Sequence, residues 1–373
     1  MELTRVFIVG GYGNFGQYIA RALSLNPRIK LIIGGRQIEK AKEFSKQLPT
    51  PVEIVYCDIF DHFATVLRNL KPDIVIHTSG PFQTQGYQVA QACLAEGAHY
   101  IDLADSRDFV TNISQFHAQA LEHKKLICSG ASSVPGLSSA IIEHYLPEFK
   151  ELSSVDYAIA TAQLTNQGLA TTTGVLSYAG KPFETLINGQ FQKIYGWQDL
   201  RLLKFWRLNK RFLGNCDIPD LALFPQRYPT LQTLRFQAGL ELKFLHVFLF
   251  LFSWLVRLRL LPPLNKFASP LLKISHFFNW LGTNNSGFYM LLQGLDPDNR
   301  HKTICFEITA QEGDGLYIPC IPAIYLSEQI ASGQQIPLGA LPCAGLISLD
   351  NYLEVMKRLG LKIAIRQTIS VDF

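Results

Sequence analysis

Six short apolar runs separated by amphipathic stretches constrain this chain more than any other feature. They cover residues 5–10 (RVFIVG), 30–34 (KLIIG), 53–56, 74–77 (IVIH), 99–102 and 125–128. Most are continuous and rich in β-branched residues, without the alternation of a strand that faces water on one side. That pattern suits strands buried on both faces. The intervening stretches have helical spacing, and residues 14–25 put Phe15, Ile19, Ala22 and Leu23 on one face. Further helices are predicted at 39–47, 60–70, 87–96 and 114–123. Strand and helix in regular turn imply a doubly wound parallel sheet with right-handed crossovers, a Rossmann-type domain over residues 1–135.

After Pro135 the rhythm changes. Residues 154–162 and 302–311 (KTICFEITAQ) read as strands, the second with apolar–polar alternation, and predict a sheet covered on one face. Residues 196–282 are rich in Leu, Phe and Trp and read as mainly helical. Helices are predicted at 319–333 and 349–359, and a closing strand at 362–370. The expected fold class is α/β: the Rossmann sheet plus a second α+β domain, residues 136–373, with a helical, apolar insertion at about 196–282. The C-terminal helices around 316–335 are expected to pack back on the first domain.

Charged residues are 17% of the chain and hydrophobic ones 48%, against ~25% charged in an average domain. Disorder, coiled coil and acidic solvating proteins are excluded. The 373 residues can bury a large core without disulfides or metals. Seven scattered cysteines are an odd number and form no C-x-x-C or zinc-ligand spacing. They read as reduced thiols, so no metal is expected. With no export signal visible after Met1, a cytoplasmic protein is expected.

The strongest chemical signal is Gly10-Gly11-Tyr12-Gly13-Asn14-Phe15-Gly16, between a predicted strand and a predicted helix. Gly11, Gly13 and Gly16 match the G-x-G-x-x-G dinucleotide pattern. Such a turn lets the backbone approach a pyrophosphate and turns helix N–H groups towards it. Gly10, Gly11, Gly13, Asn14, Phe15 and Gly16 are therefore candidate cofactor residues; the competing reading is a purely structural glycine turn. At the end of the second strand, an NAD site usually carries Asp or Glu for the ribose 2′-hydroxyl. Here stand Gly34-Gly35-Arg36, with Lys40 a turn further on. A guanidinium can take a 2′-phosphate in bidentate fashion, which favours NADP over NAD. Arg36 as a solvated surface residue is the alternative. Asp58, after the third strand, could meet the adenine edge or cap the next helix.

Farther along stand Thr78-Ser79-Gly80-Pro81-Phe82, Ala92-Cys93, Gly97-Ala98-His99-Tyr100-Ile101-Asp102 and residues 129–136, SGASSVPG. These segments resemble the NADP-binding domain of saccharopine dehydrogenase-like oxidoreductases. The resemblance extends to Gly180-Lys181-Pro182-Phe183, Gly196-Trp197, Gly313-Asp314-Gly315 and Gly339-Ala340, where it points to an uncharacterised branch. It implies an NAD(P)-dependent oxidoreductase, with Gly11, Gly13 and Gly16 at the pyrophosphate and Arg36 at the 2′-phosphate. Thr78, Ser79 and Gly80 would lie along the ribose–nicotinamide half. Saccharopine enzymes need substrate arginines for an amino-dicarboxylate, and no such set maps onto residues 136–373. An apolar or amphipathic carbonyl, imine or amine substrate is expected instead, in a pocket lined by apolar residues of the second domain.

Hydride transfer also needs a proton donor or acceptor tuned towards neutrality. His77, His99, Tyr100, Asp102 and Asp105 are candidates, read as lying at or just beyond carboxyl ends of strands. Structural roles compete at each of them, above all for the two histidines. No catalytic Ser-x-x-x-Tyr-x-x-x-Lys pattern or G-x-S-x-G elbow is present.

The basic character is local. Residues 201–273 hold twelve Lys and Arg against three acids, in a chain of net charge +4. Within that stretch residues 244–256 (FLHVFLFLFSWLV) carry no formal charge. Read as helices, this run and an upstream one with Leu202, Phe205, Trp206 and Phe212 opposite its cations suit adsorption to an anionic membrane surface through residues 200–265. A buried helix or a homodimer interface is the competing reading. Nucleic acid is not expected, since no reader motif accompanies the basic stretch. A non-catalytic dinucleotide-binding protein that docks on membranes or partners is the alternative function.

Overall fold

The computed structural model describes residues 3–165 and 168–372. It divides into two compact units, Met1–Ala140 with Tyr317–Leu359, and Ile141–Leu316 with Gly360–Phe373. The chain passes from the first unit to the second within α7 (Ser138–Tyr145).

The first unit holds a seven-stranded sheet, in the order β15-β6-β5-β4-β1-β2-β3. Its strands are β1 (Thr4–Val9), β2 (Ile29–Gly35), β3 (Glu53–Tyr56), β4 (Ile74–His77), β5 (His99–Asp102), β6 (Leu126–Ser129) and β15 (Gly339–Pro342). All neighbours pair in parallel. The helices are α1 (Asn14–Leu23), α2 (Ile38–Ser45), α3 (Phe63–Leu70), α4 (Gln88–Ala95), α5 (Arg107–Thr111), α6 (His117–Glu122), α12 (Ile321–Ala331) and α13 (Leu349–Arg358). The central strands β1, β2 and β4 are mostly buried, as their continuous apolar sequences require, whereas edge strand β3 is not. Phe7 is fully buried, stacks on Phe63 at 6.3 Å, and fills the space a Cβ on Gly34 would need. The order reverses at β1 and β4, the switch point where open α/β sheets bind ligands.

Six strands were legible from their apolar runs; the seventh, β15, was not. Its sequence GALP is too short and too interrupted by Gly and Pro to show a period. It is fixed in the sheet by pairing with β6, Gly339 opposite Leu126 and Pro342 opposite Ser129. This unit takes not only α12 but also β15 and α13 from the C-terminal part of the chain.

The second unit carries a mixed seven-stranded sheet, in the order β10-β11-β12-β7-β13-β14-β16. These are β7 (Glu151–Ala160), β10 (Arg201–Lys204), β11 (Lys210–Asn215), β12 (Thr233–Gly239), β13 (Ser286–Leu295), β14 (His301–Ala310) and β16 (Ile363–Asp372). Only β7 and β12 pair in parallel. A separate hairpin joins β8 (Pro182–Ile187) to β9 (Gln190–Tyr195). The helices are α8 (Leu169–Ser177), α9 (Asp220–Arg227), α10 (Lys243–Arg257) and α11 (Ala268–Phe277).

Residues 196–282 are thus not a mainly helical insertion: three strands of the sheet come from them. The expected helix through Leu202, Phe205, Trp206 and Phe212 is the β10–β11 hairpin, in which Leu202 faces Phe212. Arg207 has a left-handed backbone, φ 58°, which no α-helix carries through. Nor is Arg211 part of a solvated cationic face. It is buried and ion-paired with buried Glu241 at 3.1 Å. Glu241 also accepts hydrogen bonds from the amides of Gln163 and Thr283 and from the Thr283 hydroxyl. These extra donors satisfy the carboxylate of a pair that an interior would otherwise penalise.

Gly180 holds α10 close to the loop that precedes β8. Its φ is +68°, and a Cβ there would stand 2.2 Å from the Ser253 carbonyl oxygen and 2.9 Å from the Arg257 amide nitrogen. Gly180→Ala must move the backbone of α10 and adopt a left-handed conformation, at a cost of about 1–3 kcal/mol. Thermal unfolding of this variant is expected to fall by several degrees. An unchanged midpoint would show that α10 is not held there.

Candidate cofactor and active site

Val9 ends β1 opposite Gly34 of β2 and His77 of β4, so the three strand ends lie level. The chain then turns at Gly10, whose φ of +79° favours glycine and whose amide donates to the Gly34 carbonyl at 2.8 Å. Gly16 permits the helix to press on the turn: a Cβ there would lie 2.4 Å from the Gly10 carbonyl oxygen. Gly13 differs. A Cβ on it would meet only that same oxygen, at 3.2 Å, and otherwise open space. No side chain caps α1, which starts at Asn14 directly after Gly13. An uncapped helix N-terminus behind a smooth glycine turn fits a pyrophosphate. Phe15 is tied down through its carbonyl, which accepts from the Cys320 thiol at 3.8 Å.

At the end of β2, Tyr12 takes the place of a side chain on Gly35: a Cβ there would lie 2.4 Å from its ring. The Tyr12 hydroxyl accepts from the Gln37 amide at 2.9 Å, and Gln17 donates to the Tyr12 carbonyl at 2.8 Å. Sequence reasoning did not single out Tyr12. Arg36 follows directly, exposed, with no hydrogen bond or ion pair to another described residue. Asp58 forms a local turn, accepting from the Phe60 amide at 3.1 Å. It does not cap α3, which begins at Phe63 after a left-handed His62.

The loop after β4 packs directly on the glycine turn. Thr78 donates its hydroxyl to the carbonyls of Val9 (2.9 Å) and Gly10 (3.2 Å). A Cβ on Gly10 would meet the Ser79 hydroxyl oxygen at 2.5 Å. Gln85 fixes the loop from below, donating to the carbonyls of Ser79 (2.6 Å) and Pro81 (3.1 Å), with Gly80 held between them.

The acid–base candidates separate by position. His99 opens β5 at its amino end, where Nδ1 accepts from the Leu126 amide at 3.0 Å. Since the sheet is parallel, this is the edge away from the glycine turn, and the expected carboxyl-end position is corrected. His77 ends β4, buried, with Nδ1 3.1 Å from the Tyr100 hydroxyl and its ring edge-on to Phe82. Burial lowers its pKa to about 3, only partly offset by the Ser79 backbone, so it is neutral at physiological pH. Tyr100 is fully buried inside β5.

Asp102 is fully buried too. One carboxylate oxygen accepts from the amides of Ala104 (2.9 Å) and Gly130 (2.8 Å) and from the Ser129 hydroxyl (3.0 Å). It binds the ends of β5 and β6 together. Burial raises its pKa to about 6, against the pull of these donors and Tyr100. Asp105, three residues on, is only half-buried and has a single side-chain partner, Gln83, which donates at 2.9 Å. Lost hydration raises its pKa as well, while Gln83 opposes the rise. No signal in the sequence pointed to Gln83 or Gln85. Among the described residues no group of three or more His, Cys, Asp or Glu could hold a metal ion.

Asp102 gives a pH test with a defined sign. Its folded pKa, about 6, lies above the ordinary 3.8, so protonation favours the folded state and this contribution is lost as pH rises from about 4 through 6. His77 acts oppositely, losing stability as pH falls below its usual 6.5. Asp102→Asn keeps an acceptor oxygen but removes the titration. Between pH 6.5 and 4.5 the wild type should gain stability relative to this variant, by at most about 3 kcal/mol at ~1.4 kcal/mol per pH unit. Denaturant titration at the two pH values reads the difference. Parallel curves would mean that Asp102 is not so buried.

The family described as "Saccharopine dehydrogenase NADP binding domain" matches residues 6–143. No curated protein sequence matches the chain. Among solved structures, saccharopine dehydrogenase (L-Glu forming) from Saccharomyces cerevisiae is similar at a TM-score of 0.68 and 11% identity, over 98% of this chain and 100% of that one. Homospermidine synthase from Legionella pneumophila, in complex with NAD, has a TM-score of 0.61 at 11% identity, over 98% and 91%. An amine dehydrogenase from Mycobacterium smegmatis has a TM-score of 0.51 at 10% identity, over 94% and 97%. At such identities these likenesses concern the fold. With the glycine turn at the switch point inside the matched segment, residues 6–143 carry a domain similar to the saccharopine dehydrogenase NADP-binding domain.

Proposed function

We propose that the protein transfers a hydride between NADP(H) and an apolar or amphipathic carbonyl, imine or amine substrate. The observation that carries this reading is the uncapped N-terminus of α1 behind an open Gly13, with Arg36, exposed and unpartnered among the described residues, directly after β2. Bound nicotinamide supplies or accepts the hydride. The chain's own residues do the rest. The glycine turn and α1 hold the pyrophosphate, Arg36 holds the 2′-phosphate, and residues 78–80 line the ribose–nicotinamide half. Asp58 meets the adenine side. Asp105, oriented by Gln83 and with its pKa raised by lost hydration, holds or moves the proton. His77, Tyr100 and Asp102 set the shape of the loops around it.

The second unit supports a substrate without two carboxylates to bind. Its only described arginines withdrawn from solvent are Arg201 and Arg211. Arg201 makes a bidentate pair with Asp156 and Arg211 pairs with Glu241. Neither has charge left to offer an amino-dicarboxylate.

Cofactor choice is the first test. A charge-assisted contact contributes about 1.5–3 kcal/mol, roughly a ten- to hundredfold preference for NADP(H) over NAD(H). Calorimetry should show that Arg36→Ala removes most of this preference and leaves NAD(H) affinity nearly unchanged. Gly13→Val should weaken both cofactors by filling the open turn. Equal wild-type affinities would make Arg36 a surface residue only.

Asp105 is the second test. Asp105→Asn should bind NADP(H) like the wild type, while kcat with a carbonyl, imine or amine substrate falls by about a hundredfold or more. Retained kcat would remove Asp105 from the chemistry. Tight NADP(H) binding without any cofactor turnover across those three substrate classes would favour a binding protein instead.

A further inference from the structure

We propose that the face formed by α10 and α11 docks the protein on the surface of an anionic lipid bilayer. In α10, His246, Leu249 and Ser253 are buried, at the spacing of one helix face. Phe244, Phe248, Leu251, Trp254 and Leu258 form the opposite stripe, and all five are exposed. In and just after α11, Ile274, Phe277, Trp280 and Leu281 are exposed as well, with Phe277 at 75% and Trp280 at 76%. The start of α10 meets the residue just after α11 through one ring contact, and α11 is tied to the loop after β7. The rings of Phe244 and Phe278 meet at 4.9 Å, edge to face. The Gln163 amide donates to the Ser275 carbonyl (2.8 Å) and to Asn279 Oδ1 (3.0 Å). Both helices thus present exposed apolar side chains, joined where Phe244 meets Phe278.

Charge selects the occupant. Residues 242–295 contain Lys243, Arg257, Arg259, Lys266 and Lys273, all exposed, and not one Asp or Glu. A second copy of this chain would set the same cations against themselves in a two-fold interface, because such an interface pairs a patch with itself. An anionic headgroup layer neutralises them while its acyl boundary takes up the aromatic side chains. The helices lie on such a surface and do not cross it. The 15 residues of α10 span about 22 Å, against ~30 Å of hydrocarbon. Among the described residues, no helix is long and apolar enough to cross a membrane. The surface lies at 243–281, excluding the β10–β11 hairpin that the sequence had joined to it.

Flotation of the full chain with phosphatidylcholine vesicles, with and without phosphatidylglycerol, tests the proposal. Binding is expected on the anionic vesicles at low salt, to weaken with added salt, and to be absent on phosphatidylcholine alone. The double variant Phe277→Ser/Trp280→Ser and the charge reversal Lys266→Glu/Lys273→Glu should each lower partitioning by about tenfold or more. The second variant leaves the apolar side chains in place, so it carries the test if the first does not fold. No binding of wild type to anionic vesicles at low salt would overturn the proposal. So would a charge reversal that floats like the wild type. A wild-type dimer in light scattering that Phe277→Ser/Trp280→Ser converts to a folded monomer would assign the face to a second copy and overturn it too.

Discussion

β1 pairs in parallel with β2 along one edge and with β4 along the other, and the candidate site follows from that placement. Because Val9 is level with both Gly34 and His77, the loops after β1, β2 and β4 leave the sheet at one height. Three consequences are geometric. The glycine turn has the Gly34 carbonyl as its anchor, the Thr78 hydroxyl reaches two carbonyls of the turn, and Arg36 emerges beside it. A shift of one residue in either register would turn every side chain of β1 to the other face. It would also take the turn away from its partners. The buried core of this unit, with Phe7 seated over Gly34, therefore fixes the register on which ligand binding depends.

Most of the first unit was legible because its physics is local. Strands buried on both faces are continuous apolar runs, and the crossovers between them show their own helical period. The second unit was harder for the opposite reason. Four- to six-residue segments such as RLLK and KRFLGN fit a helix or a strand, and their pairing partners lie far along the chain. Arg211 illustrates the difficulty. Among neighbouring cations it reads as a solvated charge, yet its partner Glu241 lies 30 residues away and draws it into the interior.

Within the candidate site the same division holds. The glycine spacing was readable because only the backbone and one residue type are involved. Tyr12, Gln83 and Gln85 were not, since each acts through an amide or carbonyl that the fold brings to it. His99 was misplaced for a simpler reason. It stands three residues before Asp102, but in an extended strand that separates them by about 10 Å, from one edge of the sheet to the other.

The two aspartates after and at the end of β5 show how environment divides roles between like groups. Both carboxyls are raised by lost hydration. Asp102 has no exposed surface, and one of its oxygens accepts from two backbone amides and a serine hydroxyl that tie the ends of two strands together. Asp105 is half-buried and is held by one glutamine, which donates to one of its oxygens. A proton carrier must change charge in each cycle without disturbing its support, and must meet the molecule it serves. This contrast is why the proposed function gives the anchoring role to Asp102 and the proton-carrying one to Asp105. Neutral His77 is held against the Tyr100 hydroxyl on the neighbouring strand.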